Sequence, residues 1–96
     1  MNEKEARLRE QLEEEADAWV KKEFERRFKL ARETMEKQGR ETEHFLKTTG
    51  IDNTSRIASE TQMSISYAKS ELYKDVRFEA DNWIEEEVAK RLQEED

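Results

Sequence analysis

Leu8, Leu12, Ala16, Val20, Phe24 and Phe28 recur at every fourth position in one part of this chain, and Leu72, Val76, Ala80, Ile84, Val88 and Leu92 do the same in another. Residues four apart share one face of an α-helix, so each series is an apolar stripe that has to be covered. Laid antiparallel, the stripes pair without a gap. Leu8 meets Leu92, Leu12 meets Val88, Ala16 meets Ile84, Val20 meets Ala80, Phe24 meets Val76 and Phe28 meets Leu72. The register is symmetric about Gly50, where a chain reversal carries little steric penalty. Rows stepping by four drift around a straight helix, so an inclined crossing is expected.

Composition supports long helices with little core. Only 33% of the 96 residues are apolar and 45% are charged, with no Pro and two Gly. The strict periodicity argues against disorder despite the charge. So small an apolar content makes a lone monomer marginal, and Trp19, Trp83, Leu30, Ala31 and Met35 widen the apolar face beyond what one partner helix covers. A homo-oligomer is therefore expected, with Trp19, Phe24, Phe28 and Trp83 as its contact residues.

The net charge of −7 is unevenly spread. Residues 1–52 hold 12 basic and 14 acidic side chains, residues 53–78 hold 4 and 3, and residues 79–96 hold 2 and 8. A nucleic-acid surface, if present, belongs in the middle. The longest apolar run, Ala18-Trp19-Val20, is far too short to span a membrane. The opening Met-Asn-Glu-Lys-Glu-Ala-Arg has no signal-peptide stretch, and a soluble cytoplasmic protein is the expectation.

Asn2 with Glu5 reads as a capping box that starts the first helix. Acidic-to-basic pairs then recur four apart (Glu3–Arg7, Glu5–Arg9, Glu23–Arg27, Glu25–Lys29, Glu33–Lys37) and mark a solvated face. Gly39 either ends this helix or is tolerated inside it at ~1 kcal/mol. A second helical stretch, Glu41 to Thr48, is followed by a turn in which Gly50 stops the helix and Asp52 or Asn53 caps the next. Glu15-Ala16-Asp17-Ala18-Trp19 also recurs as Glu79-Ala80-Asp81-Asn82-Trp83, and the sharpest difference just beyond is Lys21-Lys22 against Glu85-Glu86. The echo reads as two helices sharing one packing pattern, with a recognition motif used twice as the alternative.

Residues 57–72 read Ile-Ala-Ser-Glu-Thr-Gln-Met-Ser-Ile-Ser-Tyr-Ala-Lys-Ser-Glu-Leu. This stretch resembles the helix-turn-helix motif of DNA-binding proteins. By that resemblance Ala58, Met63, Ala68 and Leu72 are buried, with Ile57 also inward, and Ser64 caps the recognition helix. Ile65, Ser66, Tyr67, Lys69 and Ser70 would face the major groove, and Arg56, Lys74 and Arg77 would meet phosphates. Gln62 stands where the motif has its turn Gly, and Glu71 where an apolar residue is usual. The alternative is one helix from Ser55 to Glu95 with Ile57, Met63 and Ile65 packed against Phe45, Leu46 and Met35.

Other chemistry is sparse. With no Cys, no disulfide or thiolate site can form, and the lone His44 makes zinc improbable. Glu13–Glu15 and Glu85–Glu87 lack the spacing of a calcium loop. No phosphate loop or activated nucleophile is present, so no cofactor and no enzymatic activity are expected.

The expectation is an all-α single domain: antiparallel N- and C-terminal stalk helices (1–38 and 71–96) joined by a small helical head over 40–70, of helix-turn-helix type by the resemblance. An N-terminal helix of ~35 residues would be roughly 50 Å long. Two functions compete. The first is a small DNA-binding regulator or accessory protein that oligomerises through its stalk and binds double-stranded DNA with its head. The second is a helical-hairpin interaction module that scaffolds or inhibits another protein through its acidic, Trp-bearing stalk.

Overall fold

The computed structural model describes residues 3–50 and 54–94, and all its regular structure is helical. Helix α1 runs Glu3–Thr48 and helix α2 runs Thr54–Glu94. The expected caps Asn2, Asp52 and Asn53 lie outside the described residues. Helix α1 has Glu3 and Glu5 in its first turn and Lys47 in its last, each at the end whose partial charge it offsets. Its final carbonyls are satisfied locally. The Thr49 N–H and the Thr48 and Thr49 hydroxyls all donate to the Phe45 carbonyl, and the Thr49 hydroxyl is also in reach of that of Leu46. Gly50 then adopts φ +80°, the left-handed geometry that commonly closes a helix and that it reaches without a Cβ penalty.

The chain divides into two compact units, residues 1–25 with 73–96 and residues 26–72. The first contains the main core. Leu12, Ala16, Val20, Val76, Ala80, Ile84 and Val88 are buried together, and Leu8 and Leu92 pack against them. These are the side chains of the two four-step rows. Contacts between α1 and α2 run in opposite senses along the two helices, from Arg9–Glu85 through Asp17–Arg77 to Phe24–Tyr73, so the helices are antiparallel here. Phe24, expected deep in the row, is half-buried. Its ring meets Tyr73 edge-on at 5.6 Å and 82°.

The second unit holds a thinner core, in which Ile65 alone among the described residues is fully buried. Phe28 receives Lys69 Nζ and the Arg32 guanidinium over its ring, at 5.8 and 5.6 Å from the centroid. Gly39 lies against Thr61, its equidistant counterpart across Gly50. A Cβ built on Gly39 would come within 2.7 Å of Thr61 Oγ1. This close approach explains why a residue that disfavours helix sits inside α1 without ending it.

The helix-turn-helix geometry does not form. Helix α2 passes unbroken through Gln62–Met63, and no non-Gly residue among those described has positive φ. Gln62 is a good helix former and, unlike Gly, does not readily take the turn conformation, so the helix simply continues. Three of the motif's inward and outward assignments are reversed, while Ile57, Ala68 and Leu72 are half-buried and Ser66, Tyr67, Lys69 and Ser70 exposed as expected. Met63, expected to close the turn from inside, is 71% exposed, and Ala58 is exposed. Ile65, expected to face DNA, is the buried residue at 7%. Of the continuous-helix alternative, Ile57, Ile65, Leu46 and Met35 are at least half-buried, while Met63 and Phe45 face solvent. Residues 40–48 belong to α1 and residues 54–70 to α2, and no separate head helices appear among the described residues.

Two stability measurements follow. Leu12 is fully buried, so Leu12→Ala should lose about 2–5 kcal/mol in chemical denaturation, whereas Glu14→Ala on the exposed face should stay within about 0.5 kcal/mol. Equal losses would contradict the core assignment. At the close approach, Gly39→Ala should be less favourable in the wild-type chain than in a Thr61→Ala background, with a coupling of at least about 0.5 kcal/mol. Additive effects would mean that Gly39 and Thr61 do not touch.

Candidate functional site

Successive helical residues are separated by about 100°, so Glu15 and Trp19 emerge on one flank of buried Ala16 and Asp17 on the other. The echoed segment repeats this arrangement around buried Ala80, with Glu79 and Trp83 on one flank and Asp81 on the other. Because α1 and α2 are antiparallel in this unit, the two Trp-bearing flanks fall on the same side. They form a groove of about 580 Å³ lined by Glu15, Ala16, Trp19, Glu79, Ala80 and Trp83. The buried alanines are small enough to leave its floor open. Trp19 and Trp83 are 42% and 38% exposed, so a large part of each indole is not used by the fold.

The opposite flank is closed by ion pairs. Arg9 donates twice to Glu85, from Nη1 to Oε1 at 2.6 Å and from Nη2 to Oε2 at 3.1 Å. It also donates from Nε to Glu5 at 3.4 Å. The Glu85 carboxyl is held below its usual range, chiefly by the hydrogen bond from Arg9 and further by that residue's charge, with desolvation opposing. Arg9 is correspondingly held above its ordinary value, with the Glu85 hydrogen bond as the largest cause. Arg77 Nη1 donates to Asp17 at 2.5 Å, and its Nε lies 3.3 Å from Asp81. The Asp17 hydrogen bond raises Arg77 in turn.

The residues expected to contact DNA lie along α2, several of them in contacts within the chain. Arg77 is engaged by Asp17 and Asp81, Arg56 donates to Glu60 at 2.9 Å, and Lys69 lies over Phe28. Ser64, Ser66, Tyr67, Ser70 and Lys74 are exposed along one continuous helix, with Ser64 inside it and not at its start. Of the expected interaction residues, Trp19 and Trp83 come together in the groove. Phe24 lies on the ion-paired flank beside Asp17 and Arg77, and Phe28 belongs to the second unit. Sequence reading missed the inter-helix pairs Arg9–Glu85 and Asp17–Arg77. Their only signal was opposite charge beside the rows, which does not say which flank each side chain takes.

Among the described residues no group of three or more His, Cys, Asp or Glu is placed to hold a metal ion, and no helix is long and apolar enough to cross a membrane. No family model matches the chain, and neither a curated protein nor a solved structure shows detectable similarity to it.

The Glu85 shift has a pH consequence. A carboxyl whose folded pKa is depressed contributes stability above its unfolded value, and loses it as pH falls through the folded one. The stability difference between wild type and Glu85→Gln should therefore be steady above about pH 5 and shrink below the ordinary value of 4.5. Urea denaturation from pH 3 to 7 measures it, and a difference that ignores pH would contradict the Arg9–Glu85 pairing.

Proposed function

We propose that the chain is a protein-interaction module: a pair of antiparallel helices that scaffolds or inhibits another protein through the acidic, Trp-bearing groove, with no catalytic step of its own. The observation that carries this reading is the half-exposed pair Trp19 and Trp83, set around buried alanines by two copies of one sequence pattern. Tryptophan is enriched among the residues that dominate binding at protein interfaces, and large apolar surface left over after folding marks such sites.

The DNA-regulator reading rested on a turn at Gln62–Met63. With α2 continuous there and Arg56, Lys69 and Arg77 engaged inside the chain, duplex DNA has no comparable support. Self-association is the competing use of the same groove.

A photo-crosslinking amino acid in place of Glu15 addresses the groove, and one in place of neighbouring Glu14 addresses the outer face of α1. In cells of the protein's own host, the Glu15 position should give a discrete adduct with another protein that disappears in Trp83→Ala. The Glu14 position should not give it. An adduct with a second copy of the chain alone, the same adducts from both positions, or none would overturn the reading. So would saturable duplex-DNA binding at low salt that Lys69→Glu abolishes, read by fluorescence anisotropy.

A further inference from the structure

The groove is apolar at its floor and acidic at its edges, and this combination specifies the chemistry of what fills it. Ala16 and Ala80 are buried at the floor, Trp19 and Trp83 give it aromatic surface, and Glu15 and Glu79 complete the lining. Helical spacing adds two charges on the same flank. Lys22 follows Trp19 by one turn, Glu86 follows Trp83 by one turn, and both are exposed. Because the helices are antiparallel, Lys22 and Glu86 lie toward opposite ends of the groove. Its charge is therefore graded, with acidic Glu86 at one end and basic Lys22 at the other.

We propose that the groove receives a basic amphipathic helix of a partner protein, oriented by this gradient. One or two of its apolar side chains would sit on Ala16 and Ala80 against the indoles, and lysine or arginine side chains would meet Glu15 and Glu86. The proposal rests on the interaction-module reading and assigns its partner chemistry. A third helix laid along two antiparallel helices buries its apolar anchors in the groove they form, as in other helix-in-groove complexes. Cationic side chains gain further from indole faces. Charge complementarity also argues against a second copy as the occupant. Two copies meeting groove to groove would bring the Glu15 and Glu79 carboxylates of each close to those of the other, on chains that each carry −7.

The test uses the full chain and two synthetic helical peptides free of Trp. They share one apolar pattern, and their polar positions are Lys in one and Glu in the other. Trp19 and Trp83, the chain's two tryptophans, report binding through their emission. The Lys peptide should bind saturably with a blue shift, and the Glu peptide should not bind. Glu86→Lys should weaken the Lys peptide by roughly tenfold or more, while Glu14→Lys, an equal charge change on the outer face, should weaken it by less than about threefold. Both positions are exposed, so circular dichroism should show unchanged helicity in each variant.

Equal binding of the two peptides, or equal losses from the two substitutions, would overturn the proposal. So would a complete lack of binding. If the Glu15 adduct with another protein persists in that case, the interaction reading stands and only the basic-helix assignment falls. If the adduct is absent as well, both fall.

Discussion

An apolar row stepping by four can be hidden from water only along the groove of another helix, and this chain has two such rows and little else to bury. In the unit that holds the main core, Leu12, Ala16 and Val20 from α1 meet Val76, Ala80, Ile84 and Val88 from α2. Everything else there takes its place from that contact. It puts Arg9 opposite Glu85 and Arg77 opposite Asp17 on one flank, where charge closes the seam. It puts Trp19 and Trp83 on the other, where both stay partly exposed. Two small residues in the row, Ala16 and Ala80, satisfy the packing while leaving a recess beside it.

The rows themselves were legible because a four-residue step is a property of sequence alone. The flanks were not, since opposite charges beside a row do not reveal which way each side chain leans until the crossing is known. Arg77 illustrates the point: as sequence it reads equally well as a phosphate contact, and in the structure Asp17 and Asp81 occupy it. Gly39 was ambiguous for a related reason. Inside a helical pattern a glycine reads as a stop or as a passenger, and only the Thr61 side chain opposite explains its presence.

The helix-turn-helix resemblance failed on phase. Met63 and Ile65 are two positions apart and so point to widely different faces of one helix, whereas a turn at Gln62 would reset which of them is inward. The short pattern fits both arrangements. In the structure Ile57, Thr61, Ile65, Ala68 and Leu72, in steps of four and three, are among the less exposed positions of α2 within the second unit. One uninterrupted stripe outweighs a motif that lacks its breaker. The echoed Glu-Ala-Asp-x-Trp segments turn out to carry two jobs at once. Their alanines build the core, and their Glu and Trp residues line the groove.

The continuity of α2 is therefore the claim on which both the fold and the loss of the helix-turn-helix geometry depend. Backbone NMR chemical shifts and amide hydrogen exchange from Glu60 to Ser66 test it directly. The account predicts helical Cα shifts through Gln62 and Met63 and an unbroken run of protected amides, strongest near buried Ile65. Non-helical shifts with fast exchange at Gln62–Met63, flanked by two helical segments, would contradict it.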